Sequence, residues 1–255
     1  MQTYSEFFIK PPRTQGLNNL TQIPQNQPLI IASTHLSDID VQTVAANIAP
    51  YRNVGIASQA SNQRDFLIGS FLRLAGIANV FGITNEYDSK KHLSHYKFNH
   101  EDFEIMNEAI KKGKTIVIAA HNPTYNWKLP EKPGKGAVYL AQLSNAMILP
   151  AALDIQSDMP IGMADDKINS IKRFILGKKP NARIIIGKPI KFSPIEQHDL
   201  KQMADYFENK IKNQFKNQDL EKIQITITKI KEQAQTIMKV LADMLPQEKR
   251  AIANL

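Results

Sequence analysis

Pro28-Leu29-Ile30-Ile31-Ala32-Ser33-Thr34-His35-Leu36-Ser37-Asp38-Ile39-Asp40 is the stretch on which the fold turns. A short apolar run rich in isoleucine that stops at a cluster of Ser, Thr, His and Asp reads as a buried strand. It delivers polar side chains to its carboxyl end, where open α/β sheets place ligands. If the chain turns into a helix at Ser37 or Asp38, the His-x4-Asp spacing lets Asp40 fold back over the loop and hold one nitrogen of the His35 ring. The other nitrogen is then a general base. This is the logic of a serine-hydrolase triad without its protein nucleophile, so the attacking group would be a hydroxyl or amine of the substrate. The plainer reading is a helix cap at Ser37 or Asp38 beside an ordinary loop histidine.

Downstream, apolar runs alternate with helical stretches. Val54 to Ser58, Asn79 to Ile83, Thr115 to Ala120 and Ala146 to Ile155 read as strands, and Ala182 to Ile190 as a last strand and turn. Asp38 to Ile48, Arg64 to Ala75, Glu101 to Lys112 and a segment from Lys135 read as helices, with acids in the first turn of the third and lysines in its last. Strands alternating with helices predict an α/β fold: a mixed, largely parallel sheet flanked by helices on both faces. From residue 195 the sequence is helical, with Leu220, Ile223, Ile227, Ile230, Ala234, Ile237 and Leu241 at helical spacing, a stripe that suits core or partner packing.

The expected organisation is an N-terminal segment over 1–27, an α/β core over 28–192 and a helical C-terminal extension over 193–255 of the same domain. In the first, Phe7-Phe8-Ile9 precedes Lys10-Pro11-Pro12-Arg13, and the two prolines predict an extended connection. Residues 84–100 read as a solvated loop; His92 and His95 lack a third ligand at a supporting spacing, so no metal site is expected. Gly113-Lys114-Thr115 resembles the end of a phosphate-binding loop, but Glu108 stands where its first glycine belongs and a strand follows instead of preceding it.

The chain has 255 residues and no cysteine, which removes disulfides, thiolate nucleophiles and cysteine-based zinc sites. No run reaches the ~18 apolar residues of a membrane span, and the N-terminus lacks the layout of a signal peptide. A cytoplasmic protein is expected, peripheral on the inner face of the membrane. The net charge of +8 is uneven: 14 Lys and Arg face 13 Asp and Glu over residues 1–164, and 18 face 11 over 165–255. Lys167, Lys172, Arg173, Lys178, Lys179, Arg183, Lys188 and Lys191 follow one another without an intervening acid. Peripheral contact with anionic membrane through residues 167–191 is the expectation, against a solvated basic face or a dock for an acidic carrier protein. Charge alone is no ground for nucleic-acid binding, and none is expected.

Taken in order, these pieces resemble the glycerophospholipid acyltransferase family, whose members acylate glycerol 3-phosphate or lysophosphatidate. His35 to Asp40 is similar to the family's His-x4-Asp motif, including the serine two after the histidine. The family's strand ending in Pro-Glu-Gly-Thr-Arg, its Lys-Gly-Ala and its Ile-Val-Pro-Val strand are matched in order by Ile116 to Tyr125, Lys135-Gly136-Ala137 and Ile148-Leu149-Pro150-Ala151. Gly187-Lys188-Pro189-Ile190 resembles its closing Gly-x-Pro-Ile, and Phe71 to Gly76 resembles the helix before its second block. The resemblance covers about residues 28–192. It implies acyl transfer from acyl-CoA or an acyl-carrier protein, as co-substrate and without a bound cofactor, to a hydroxyl or amine of a lipid-like acceptor. His35 and Asp40 would be catalytic, and Ser37, His121, Asn122, Thr124 and Tyr125 would contact substrate. Residues 66–77 are the available wall for an acyl chain. Two departures matter: Gly82 and Tyr125 stand where the family has arginines, and His121 stands where it has a carboxylate. They motivate the alternative of a non-catalytic lipid- or partner-binding descendant. A hydrolase using the same base is a further rival, without a Gly-x-Ser-x-Gly elbow to support it.

Overall fold

The computed structural model describes residues 9–37, 39–59, 80–83, 85–88, 93–96, 98–122, 128–156, 179–208 and 217–250. The expected helix at 64–75, the acyl-chain wall at 66–77, Phe7, Phe8, Asp38, His92, Thr124, Tyr125 and the basic stretch 167–178 lie outside them.

The opening stretch forms β2 (Leu29–Ser33), whose residues are all buried. It sits between two parallel partners, β7 (Thr115–Ala119) and β8 (Met147–Gln156). A strand enclosed on both faces has no solvent side to mark with polar residues, which is why it reads as a continuous apolar run. With β1 (Arg13–Gln15), β3 (Val54–Gln59), β4 (Val80–Ile83) and β9 (Asn181–Ile186) these make a seven-stranded sheet in the order β1-β9-β8-β2-β7-β3-β4. Every pairing is parallel except β8 with β9. The mixed, largely parallel sheet flanked by helices that the sequence predicts is therefore the fold.

Alternation along the strands splits the core in two. Leu29, Ile31, Val117, Leu149 and Leu153 pack with α2 (Asp40–Ile48) on one face. Ile30, Ala32, Ile116, Ile118, Ile148 and Ala152 point to the other. That second face is covered by α3 (His100–Lys111), α4 (Gly136–Ser144), α5 (Gln197–Phe207) and α6 (Asn217–Met244). The α6 stripe is core packing: Ile223, Ile230, Ala234, Ile237 and Leu241 are buried, and full burial of one such large side chain contributes about 1.5–3 kcal/mol. Leu220 and Ile227, at its margin, are half-buried. Among the described residues no helix is long and apolar enough to cross a membrane.

The observed elements differ from the sequence reading in three places. Residues 13–15, expected as a bare connection, pair with β9 as an edge strand, because a chain extended by Pro11 and Pro12 has backbone groups free to satisfy those of β9. A five-residue helix, α1 (Leu17–Thr21), follows it. Between β1 and α1, Gly16 has a φ of 74°, and a Cβ there would overlap the Ile186 carbonyl oxygen, so only glycine fits. Within the expected loop at 84–100, β5 (Asn85–Asp88) and β6 (Leu93–Tyr96) pair antiparallel, and their polar composition gives no apolar run to mark them as strands. As a strand and turn over 182–190 implies, β9 stops at Ile186; beyond it Ile190 makes an isolated bridge to Ile148, and Pro189 has no N–H to extend the ladder.

Candidate active site

Strand register brings two polar loops together at the carboxyl edge of the sheet. Ser33, the last residue of β2, stands opposite Ala119 of β7 and Ala151 of β8. Ala120 N donates to the Ser33 carbonyl at 2.8 Å, and Thr34 N donates to the Ala151 carbonyl at 3.1 Å. The chain thus leaves β2 and β7 at the same level, and the contact between the two loops is direct: His35 N donates to Nε2 of His121 at 3.0 Å.

That bond fixes the tautomer of His121. A backbone N–H only donates, so Nε2 holds the lone pair and the proton is on Nδ1, which donates to the Asn122 carbonyl at 2.7 Å. Burial, reinforced by the nearby His35 ring, outweighs the bond to Asn122 and pushes the His121 ring down to about 4, so it is neutral at neutral pH. Both ring nitrogens are used inside the protein and the residue is buried. His121 was expected at the substrate; in the structure its ring holds the His35 backbone. Asn122 is exposed and contributes its carbonyl to this arrangement.

The His35 ring is oriented by the main chain. Its Nδ1 lies 3.0 Å from the Ser37 carbonyl, which only accepts, so Nδ1 carries the proton and Nε2 the lone pair. Among the described residues no group bonds to Nε2. Burial lowers the ring below the usual histidine range against the raising effect of the Ser37 carbonyl, and the outcome is a neutral imidazole with its basic nitrogen uncommitted.

Asp40 does not play the expected part. Its Oδ2 accepts from Leu36 N at 2.9 Å and from the Thr34 hydroxyl at 3.1 Å, and its Oδ1 accepts from the Ser37 hydroxyl. None of its bonds goes to the His35 ring. The physical reason is competition: the Thr34 and Ser37 hydroxyls and the Leu36 N–H occupy both carboxylate oxygens, while the Ser37 carbonyl takes the imidazole N–H. Asp40 gathers residues 34, 36 and 37, its own N–H donates to the Ser37 carbonyl at 3.3 Å, and that carbonyl in turn holds His35. Burial drives the Asp40 carboxyl up to about 7, against the opposing pull of those donors. Ser37, also expected at the substrate, is buried, with both its hydroxyl and its carbonyl engaged within the turn.

Three participants escaped the sequence reading. Thr34 ties the turn to the neighbouring strand, its hydroxyl accepting from Leu153 N at 3.1 Å. Asp154, one residue on, is buried between Lys249 at 2.6 Å and Arg183 at 2.8 Å. Lys249 also donates to the Ile155 carbonyl at 2.6 Å, while its own carbonyl accepts from Leu129 N, pinning the C-terminal turn to the far end of the second polar loop. An acid in the otherwise apolar Ile148 to Ile155 was the available signal. Among the described residues no group of three or more metal-ligating side chains comes together.

No family model matches the sequence, and no curated protein matches it. Among solved structures the chain is similar to the 1-acyl-sn-glycerophosphate (LPA) acyltransferase PlsC from Thermotoga maritima, at 13% identity and a TM-score of 0.44, over 80% of this chain and 73% of that one. A likeness at that level carries no argument about chemistry.

Proposed function

We propose that this chain is an acyltransferase that moves an acyl group from a thioester, acyl-CoA or acyl-carrier protein, to a hydroxyl or amine of a lipid-like acceptor, with His35 as general base. The single observation that carries the reading is the state of the His35 ring: neutral, its Nδ1–H committed to the Ser37 carbonyl, and its Nε2 lone pair without a partner among the described residues. A positioned imidazole in this tautomer can take a proton at neutral pH without first losing one of its own.

The step then balances as follows. Acceptor O–H or N–H gives its proton to Nε2 as the oxygen or nitrogen attacks the thioester carbonyl. The tetrahedral oxyanion is received by a backbone amide or by Thr124. On collapse the C–S bond breaks and the thiolate recovers the proton from the imidazolium. During turnover the charged ring keeps its Nδ1–H on the Ser37 carbonyl, held there by Asp40. No covalent enzyme intermediate is needed.

Purified protein, a labelled acyl thioester and a lipid extract test this directly, with analysis for acylated product, free acid or neither. Transfer that falls roughly 10²–10⁴-fold in a folded His35→Ala variant is expected. Unchanged transfer in that variant removes His35 from the mechanism, free acid alone makes the protein a hydrolase, and neither product favours the non-catalytic descendant.

A further inference from the structure

A row of charge runs sideways from the His35 turn. Asp154 in β8 stands opposite Arg183 in β9, and Arg183 stands opposite Arg13 in β1. Residues in register on neighbouring strands project from the same face, so the three side chains line up across one end of the sheet. The buried Asp154 is fully committed, with Oδ1 on Lys249 Nζ and Oδ2 on Arg183 Nε. One carboxylate therefore serves a row that also holds Lys249, Arg183 and Arg13.

Like charges directly opposite on adjacent strands repel, and no acidic residue occurs anywhere in 9–33 or 179–195 to relieve the arginine pair. The Arg183 side chain is 35% exposed and anchored by Nε alone, and neither it nor Arg13 has any other side-chain partner among the described residues. A part-exposed guanidinium anchored through Nε, with no other side-chain bond among the described residues, is a fork set for a phosphate, with part of its ordering cost already met by the buried carboxylate.

Location decides which phosphate. Thr34 bonds to Leu153, so the row begins one residue beyond the motif on the next strand. Counting strands at about 4.8 Å each, Arg183 and Arg13 lie roughly 10 and 14 Å sideways from β2. A group whose proton His35 removes does not reach them. The far end of a donor whose sulfur and phosphates are separated by an extended arm does. The geometry points to a phosphate-binding site at Arg183 and Arg13 that takes the nucleotide phosphates of a coenzyme-A-type acyl donor. It rests on the proposed acyl transfer and adds to it the choice of carrier.

Titration calorimetry with coenzyme A, and with pantetheine as the probe without phosphates, tests the site in wild type, Arg13→Gln, Arg183→Gln and His35→Ala. Arg13 lies on an exposed edge, so Arg13→Gln does not depend on the buried Asp154 for its fold. Coenzyme A is expected to bind wild type and His35→Ala alike and to lose about tenfold or more in each arginine variant, while pantetheine stays equally weak throughout. Undiminished coenzyme A binding in both arginine variants, equal affinity for pantetheine, or no coenzyme A binding by wild type overturns the site. So does an arginine-dependent affinity confined to phosphatidylglycerol vesicles, which would make the row a membrane contact. The turnover assay separates the two readings. Transfer from an acyl-carrier protein without coenzyme A affinity overturns the site and leaves acyl transfer standing. Arginine-dependent coenzyme A binding without transfer from any thioester upholds a phosphate site and overturns the acyl-transfer reading.

Discussion

Asp40→Asn separates a carboxylate that serves the imidazole from one that builds the turn. In the first case the substitution is ruinous, since the wrong tautomer of a dyad histidine costs about 10⁴ in kcat. In the structure, however, the asparagine carbonyl can take both bonds of Oδ2, from Leu36 N and Thr34, and its NH2 group meets only the Ser37 hydroxyl. A hydroxyl turns from donor to acceptor at little cost. The Ser37 carbonyl stays on His35, so transfer is expected to fall by no more than about tenfold, roughly the effect of one weakened hydrogen bond. Stability supplies a second reading. The Asp40 carboxyl, raised from 3.8 to about 7, favours the folded state below 3.8, and that contribution is lost as pH rises through about 7. His121, lowered from 6.5 to about 4, works in the opposite sense: its contribution is present above 6.5 and lost as pH falls through about 4. In the window between pH 4 and 6.5 the two oppose each other. Replacing Asp40 by Asn removes one, so the variant should gain on wild type by about 1.4 kcal/mol per pH unit, or about 3 kcal/mol between pH 4.5 and 6.5. Urea titrations of both proteins at those two pH values measure it. A constant difference between them would show that the three donors keep Asp40 ionised, and a thousandfold loss of transfer would return it to the imidazole.

Gly16→Ala should lower the urea midpoint sharply, since the new Cβ meets the Ile186 carbonyl at a φ of 74°; a neutral effect would mean that β1 moves away from β9 without consequence. Ile230→Ala, a deletion in the buried α6 stripe, is expected to cost about 2–5 kcal/mol in the same assay, and a loss under 1 kcal/mol would remove α6 from the core. Lys249→Met leaves buried Asp154 with Arg183 alone and frees the C-terminal turn, so a loss of about 3–5 kcal/mol is expected; wild-type stability would show the bond to be dispensable. Lysophosphatidate and glycerol 3-phosphate should be poor acceptors beside neutral or amine-bearing lipids, because neutral His121, in contact with the His35 turn, supplies no cation there; preferred acylation of either phosphate monoester in a parallel competition refutes this.

What could be read from the chain alone and what could not divide along a physical line. The strands were legible because a strand buried on both faces writes itself as an uninterrupted apolar run, and the His35 turn was legible because polar residues at the end of such a run have somewhere particular to be. Partner choice within the turn was not. A His-x4-Asp spacing permits the carboxylate to reach the ring, but spacing does not weigh the ring against Leu36 N–H and the Thr34 and Ser37 hydroxyls, which between them occupy both carboxylate oxygens. Contacts set by strand register lay further out of reach. His121 meets His35 across 86 positions and Lys249 meets Asp154 across 95, and both depend on which strands become neighbours. The histidine at 121, which seemed to weaken the site, therefore changes meaning. With His121 as an acceptor for the His35 N–H, a carboxylate at that place would keep the bond and bring a buried negative charge beside the base, raising its pKa. A neutral histidine keeps the bond without that charge, and the imidazole of His35 stays unprotonated further into acid.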